Sequence, residues 1–465
     1  MSYAISISSI SDAAAATIRS MLSLTAETQY NKFRREDEAE PVIFYIYGNI
    51  IHLPYMFSAS LFQIIPNVNI CYPLSGLEFN GKLRDNQIAV ETEAWEQLER
   101  YGTSTLGLYP GFGKTVLGAK LSARAGLMTV ILVHREILTT QWKTTYQNVT
   151  NGRVWIVGEK NPPQICDVII CMDTRWNMIS KEVRDAVGFL IIDEAHAFCT
   201  RTHVDCLLSF HPKYILIESA TLLREDGMHS MIYAIAGNHG VFRESDKPFN
   251  VVKIMTNMKP VRKMTITGNV DYGNLLKSTL LDERRNGIIL ELVKQNVSRK
   301  ILILTSLVDH VTLMYNNLIE AKISVDYLCG KKKTYQDSTV LVGTLSKIGT
   351  GMDPATSCPT YSGQPFDLLI LVTSIKKTAM LVQNVGRCFR ANFPTVFHLV
   401  DNDTIFTGHW AKAKKWYIMH AGIVTEHNIE NKEENTNSTN SITTLQNEWI
   451  HKKIVQTKLK INKIK

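Results

Sequence analysis

The chain predicts an α/β fold of two tandem domains, each a parallel sheet flanked by helices, with a small N-terminal domain ahead and a partly disordered tail behind. Three observations carry this. Short apolar runs of strand length fall into two series, one ending near residue 240 and one beginning near 285. Helical patterns separate the runs, and strands buried on both faces read as unbroken apolar stretches rather than as alternation. A chain of 465 residues also exceeds what one core usually fills.

Residues 1–80 open on a Ser/Ala-rich helical segment and continue into "PVIFYIYGNIIHLPYMF", whose β-branched and aromatic residues suggest strands. They are expected to form an accessory domain. Residues 81–240 hold "TLGLY", "MTVILV", "RVWIV", "DVIICM", "FLIID" and "YILIES", the strands of the first α/β domain. Residues 241–284 read as a connection, taken together with a second domain that ends near 425. Its strands are "KILILTS", "ISVDYL", "STVLVGT", "DLLILVTS" and "TVFHLVD", with "HVTLMYNNLIEAK" as an intervening helix. Loops at the strand ends of two such domains face each other across a cleft. From 426 onward, "EHNIENKEENTNSTNSITT" is too polar to fold alone, and six lysines crowd the last fourteen residues. That end is either a solvated tail or an arm for phosphates.

A formal charge of +8 permits a nucleic-acid partner without requiring one. The eight cysteines form no CxxC pair, and Cys199-x3-His203-x2-Cys206 lacks the remaining ligands of a zinc site. Free thiols and a start without a signal peptide predict an intracellular protein. The apolar runs fall short of the ~20 residues of a membrane span, so no membrane partner is expected.

Chemistry concentrates in "LGLYPGFGKTVLGAKL", residues 106–121. Small residues leading into a helix turn backbone N–H groups toward an anion, and the helix N-terminus adds positive charge. Gly111, Phe112, Gly113, Lys114 and Thr115 would cradle phosphates, Lys114 reaching the outer ones and Thr115 holding Mg²⁺. Leu108 stands where the strict pattern has a glycine, which leaves a glycine-softened turn as the alternative. Downstream, "FLIIDEAHAF" delivers Asp193 and Glu194 at a strand end. Asp193 would bind Mg²⁺ opposite Thr115, and Glu194 would polarise a water aimed at the γ-phosphate. An acid-capped strand end is the bland reading; both motifs in order on one sheet favour the chemical one.

At this point the chain resembles a superfamily 2 helicase, in which two RecA-like domains share one ATP cleft, along most of residues 81–400. "LRDNQ" is similar to the adenine-reading motif and assigns Gln87; "LYPGFGKT" matches motif I, "VHREILTTQW" motif Ia, "DEAH" motif II and Ser219-Ala220-Thr221 motif III. "GTLSKIGTGMD" resembles motif V, with Gly351 and Asp353, and "QNVGRCFR" motif VI, with Gln383, Gly386, Arg387 and Arg390. Guanidinium groups from a second domain suit the charge that phosphoryl transfer builds. Arg387 and Arg390, three apart in a helical pattern, are expected on one helix face. Ser219 and Thr221 are expected to couple phosphate occupancy to the interface by hydrogen bonds to His196 or the acids, the alternative being turn hydroxyls.

Arg224-Glu225-Asp226 is similar to the charged triplet of the branch that holds the xeroderma pigmentosum group B subunit and the transcript-release helicases of poxviruses and other large DNA viruses. The resemblance implies ATP and Mg²⁺ as cofactors and DNA as the partner, tracked 3′ to 5′. It also implies an RNA polymerase or transcription factors as further partners, and a place in the host cytoplasm or the virion. Nucleic-acid contacts would come from His134 to Trp142, Thr305 to His310, and Thr344 to Gly351, with the hydroxyls of Thr305, Ser306 and Thr344 facing phosphates; the run Lys331, Lys332 and Lys333 either adds to that track or is a solvated loop. Trp142 and Trp176 are either base-stacking platforms or packed rings. An RNA helicase and a scaffold without turnover remain the rival readings.

Overall fold

The computed structural model describes residues 1–25, 42–46, 48–160, 165–219, 224, 226–245, 247–349 and 352–428. The first sheet holds β1 (Thr103–Leu108), β2 (Thr129–Val133), β3 (Val154–Ile156), β4 (Val168–Met172), β5 (Phe189–Asp193), β6 (Tyr214–Glu218) and β7 (Val241–Arg243), in the order β7-β1-β6-β5-β2-β4-β3. The second holds β8 (Phe249–Met255), β9 (Ile301–Thr305), β10 (Val325–Leu328), β11 (Val340–Thr344), β12 (Leu368–Leu371), β13 (Thr395–Val400) and β14 (Gly422–Asn428), in the order β10-β11-β9-β12-β13-β8-β14. Every pairing within these two sheets is parallel. Both sheets are flanked by helices, as tandem RecA-like domains are.

Successive residues of one strand feed different cores. In β2, Val130 and Leu132 pack on one face of the sheet while Ile131 and Val133 pack on the other, so both positions are apolar. The second sheet repeats this with Leu302 and Leu304 against Ile301 and Ile303. Three helices matter for the site: α1 (Asp85–Tyr101), α2 (Lys114–Ala125) and α3 (Glu136–Val149) cover the face of the first sheet that buries Leu106 and Leu108. In the second domain, α4 (Thr378–Val385) and α5 (Thr404–Met419) pack on the face of the second sheet that buries Leu302 and Leu304.

Three departures from expectation concern the flanks. Residues 241–284, read as a connection, contain β7 in the first sheet and β8 in the second. Residues 1–80 do not build a core of their own among the described residues. Phe44, Ile51, Leu53 and Tyr55 share one with Val130, Leu190 and Ile215 of the first sheet, and Tyr55 donates its hydroxyl to the Lys213 carbonyl at 3.0 Å. The segment thus covers the sheet face that α1 to α3 leave open. The tail expected from 426 begins inside β14, which ends at Asn428; residues 429–465 lie outside the described residues. No described helix is long and apolar enough to cross a membrane.

Candidate nucleotide site between the two sheets

Strand β1 ends at Leu108, and the chain turns through Gly111 at φ 85° and Gly113 at φ 98° into α2. Only glycine adopts such angles without cost. Leu108 belongs to the strand and is fully buried, its carbonyl accepting from Lys114 Nζ at 3.3 Å, so this position needs no glycine. Gln87 lies against the loop: its Nε2 donates to the Phe112 carbonyl at 3.0 Å, and a Cβ on Gly113 would fall 2.4 Å from that nitrogen. The residue expected to read adenine braces the loop backbone here. Phe112 is buried, and Lys114 and Thr115 are half-buried at the first turn of α2, where the helix N-terminus favours anions.

Strand β5 lies two strands from β1 and ends on Asp193, which is buried. Burial, reinforced by the charge of Glu194, raises its pKa to about 6. Asp193 Oδ2 accepts a hydrogen bond from Trp142 Nε1 at 2.8 Å. Glu194 takes φ 52° and ψ 50°, a left-handed conformation that costs a non-glycine residue and that recurs at functional sites. His196 Nδ1 lies 3.4 Å from Glu194 Oε2 and 3.1 Å from Ser219 Oγ. Burial lowers the His196 pKa to about 4, so the ring is neutral near pH 7. Arg224 grips Asp226 through both carboxylate oxygens at 2.9 and 2.6 Å and donates to the His196 carbonyl at 2.6 Å. His196 is therefore the node joining Ser219, Arg224 and Asp226 to the acidic pair; Thr221 and Glu225 lie outside the described residues.

Sequence reasoning missed Glu218. The parallel register sets it beside Asp193, fully buried, with neither carboxylate oxygen hydrogen-bonded among the described residues. Burial, then the Asp193 charge, holds its pKa well above the usual carboxylate range. The available signal was an acid closing the apolar run "YILIES".

The second domain supplies the opposite wall. Gly386 packs on Pro110, and the Arg390 Cγ comes within 4.0 Å of where a Gly111 side chain would start. Arg387 donates to the carbonyls of Met352, at 2.9 Å, and Gly349. Burial draws the Arg387 pKa down to about 10, while Glu194 across the cleft opposes that shift. The two arginines do not share a helix face as expected. Helix α4 stops at Val385, Gly386–Cys388 forms a 3₁₀ turn, and Arg390 follows beyond it, more exposed than Arg387. Arg390 forms a bidentate pair with Asp353 at 2.9 and 3.1 Å, so Asp353 faces an arginine of its own domain. Gln383 is half-buried near the end of α4, and Gly351 lies outside the described residues.

The expected nucleic-acid contacts fare differently. Thr305 is fully buried with its hydroxyl 2.8 Å from His310 Nδ1, Thr344 is buried, and the Ser306 hydroxyl pairs with Thr373. Lys332 is held by Asp326 and lies over the Tyr327 ring, whereas Lys333 reaches Glu136 of the first domain at 3.4 Å. Trp142 is packed, not a platform, and Arg184 covers the half-buried Trp176 ring. Cys199 and His203 serve separate partners: the thiol donates to the Ala195 carbonyl, and His203 Nε2 lies 2.9 Å from Asp173.

Residues 80–224 match the family model described as type III restriction enzyme, res subunit. Protein 161L of Invertebrate iridescent virus 6 and protein 055L of Frog virus 3 (isolate Goorha) are both named as helicases. The first is 28% identical over 405 residues, 79% of this chain and 89% of the relative; the second is 30% identical over 345 residues, 72% and 77%. The chain belongs to the superfamily 2 helicases. This helicase is also 24% identical to a transcript termination protein of cowpox virus (strain Brighton Red), over 63% of the chain and 64% of the relative. S. cerevisiae Dbp5 bound to RNA and ADP BeF3 superposes with a TM-score of 0.53 at 12% identity, covering 73% of this chain and 89% of that one. At that identity the likeness speaks for the fold alone. Membership implies an ATP-dependent helicase that binds nucleic acid.

Proposed function

We propose that this helicase is a Mg²⁺-ATP-dependent translocase directed to DNA, tracking 3′ to 5′ and acting in viral transcription, including transcript release. The observation that carries the ATP site is the contact of Gly386 and Arg390 with Pro110 and Gly111, which sets cations of one domain against the phosphate loop of the other. Lys114 and the loop N–H groups would neutralise the outer phosphates. Glu194 would take the proton of the attacking water, and Arg387 and Arg390 would stabilise the charge building on the γ-phosphate.

The residues fit a hard dication. Asp193 and Glu194 are neighbouring acids, burial and then the Glu194 charge raise the Asp193 pKa, Glu194 Oε2 has no hydrogen bond among the described residues, and Thr115 adds a hydroxyl. Asp193 and Thr115 would hold Mg²⁺, which when bound neutralises phosphate charge.

Arg390 is engaged by Asp353, so reaching a γ-phosphate would require that it turn from that partner. This ties hydrolysis to closure of the domains. The DNA and polarity readings rest on resemblance to the viral branch, and the similarity to a transcript termination protein supports the transcriptional role. Stimulation of ATP hydrolysis by single-stranded DNA, duplex DNA and RNA, measured side by side, tests them. Stimulation by RNA alone would overturn the DNA assignment, and turnover indifferent to every nucleic acid would overturn the translocase reading.

A further inference from the structure

We propose that Trp142 is a positioning residue that locks Asp193 in place and links the start of helix α3 to the metal-binding wall of the nucleotide site. The proposal rests on the reading of Asp193 as the Mg²⁺ carboxylate.

Trp142 is 1% exposed, and its indole N–H reaches from α3 to the last residue of β5. An indole nitrogen only donates, so this bond engages one carboxylate oxygen, Oδ2, and restrains the carboxylate as a whole. Outer partners of this kind orient metal-binding groups. The ring has little freedom to move. A side chain at Gly118 of α2 would meet both the Trp142 ring and Glu218 Oε1 at 2.9 Å, so the missing Cβ is what admits the indole. Tyr146, one turn along α3, packs beside Trp142 with ring centroids 6.0 Å apart and is itself tied to Ser122 of α2 at 2.7 Å. Phenylalanine would fill much of this space yet could not bond to Asp193.

The other end of α3 meets the second domain. Glu136, its first residue, pairs with Lys333 at 3.4 Å and follows the His134-Arg135 turn at the C-terminal end of β2. Six residues of helix, about 9 Å, separate Glu136 from Trp142. A short stretch of continuous helix shifts as one piece. Displacement of its first turn, by approach of the second domain or by a strand lying on the turn, therefore moves the indole that holds Asp193. Trp142 thus couples events at the domain seam to the geometry of the carboxylate.

The test uses the full chain and a fluorescent ADP analogue. For Trp142→Phe, the Mg²⁺ concentration at half-saturation of nucleotide binding is expected to rise about tenfold or more. Binding without Mg²⁺ should stay unchanged, and stimulation of turnover by nucleic acid should fall. A lowered melting temperature with an unchanged Mg²⁺ dependence would mean that the ring merely packs, and would overturn the proposal. If Trp142→Phe does not fold, Gly118→Ala serves, because its Cβ would press on the indole: a raised Mg²⁺ requirement for nucleotide binding supports the role of Trp142, and an unchanged one overturns it. Asp193→Asn separates the two levels. An unaltered Mg²⁺ dependence there would remove the reading of Asp193 itself, whereas a weakened one beside a silent Trp142→Phe removes only the role of Trp142.

Discussion

Gly386 of the second domain lies so close to Pro110 of the phosphate loop that a Cβ on the glycine would fall 2.4 Å from the proline Cβ. The absence of a side chain is what lets the turn carrying Arg387 and Arg390 meet the loop. Gly386→Ala is expected to push the walls apart and to lower kcat/KM for ATP about 100-fold, the scale of an ångström-sized misplacement at a reacting centre. Steady-state ATPase assays check this, and rates equal to wild type would show that the contact is not needed for turnover.

Glu194 is held in a left-handed conformation with one oxygen lacking a hydrogen-bond partner among the described residues. Glu194→Gln keeps the shape and removes the base. Turnover should drop at least about 100-fold while nucleotide binding persists. Titration with the fluorescent ADP analogue alongside the ATPase assay separates the two, and undiminished hydrolysis would strike Glu194 from the mechanism.

Asp193 carries a pH signature. Its folded pKa of about 6 lies above its ordinary 3.8 because of burial and the Glu194 charge, with Lys114 and the Trp142 bond opposing. Between those values the folded chain retains a proton that the unfolded chain has lost. Stability therefore declines as pH rises through this window and levels off above it. Buried Glu218, also raised, acts in the same direction. In Mg²⁺-free buffer, Asp193→Asn should melt higher than wild type near pH 7 and converge with it near pH 4. A melting curve for the variant below wild type at both ends would contradict this.

His310 works the opposite way. Its ring is buried between the Thr305 hydroxyl and Asn286 Oδ1, both at 2.8 Å, and burial lowers its pKa to about 3 from 6.5. The unfolded chain takes up a proton that the folded one refuses, so stability is complete above pH 6.5 and lost as pH falls toward 3. His398, likewise buried and lowered to about 3, adds to the loss. The melting temperature should fall steadily below about pH 6, and less steeply in His310→Gln. A slope unchanged in the variant would assign the acid loss elsewhere.

Legibility followed periodicity. Every apolar run quoted for the two α/β domains holds a strand, since unbroken apolar composition marks chain that passes through a covered sheet, whereas the N-terminal run holds strands at Val42–Ile43 and Ile50–Pro54 but turns helical from Tyr55. Strand β7, three residues long, leaves too little pattern, and β8 is only partly buried, so its run is broken by Asn250 and Lys253. The N-terminal segment appeared autonomous because the surface it covers belongs to strands far along the chain, those holding Val130, Leu190 and Ile215. In the site, Lys114, Asp193 and Glu194 stood out as chemistry after strand-length runs. Glu218 did not, and Trp142 drew only the readings of stacking platform or packed ring, since the partner of a buried acid or indole is set by its neighbours, not by spacing.

By itself the sequence determined two parallel sheets and the loops in which phosphate-binding and acidic residues sit, since local hydrophobic pattern and glycine placement act over a few residues. Only the tertiary structure decided which partner each polar group has: Asp193 with Trp142, His196 with Ser219, Arg390 with Asp353, Thr305 with His310. Such pairs join segments whose distance and orientation are set by how sheets and helices pack, and a hydrogen bond formed or missed over less than an ångström leaves no periodic trace in the chain.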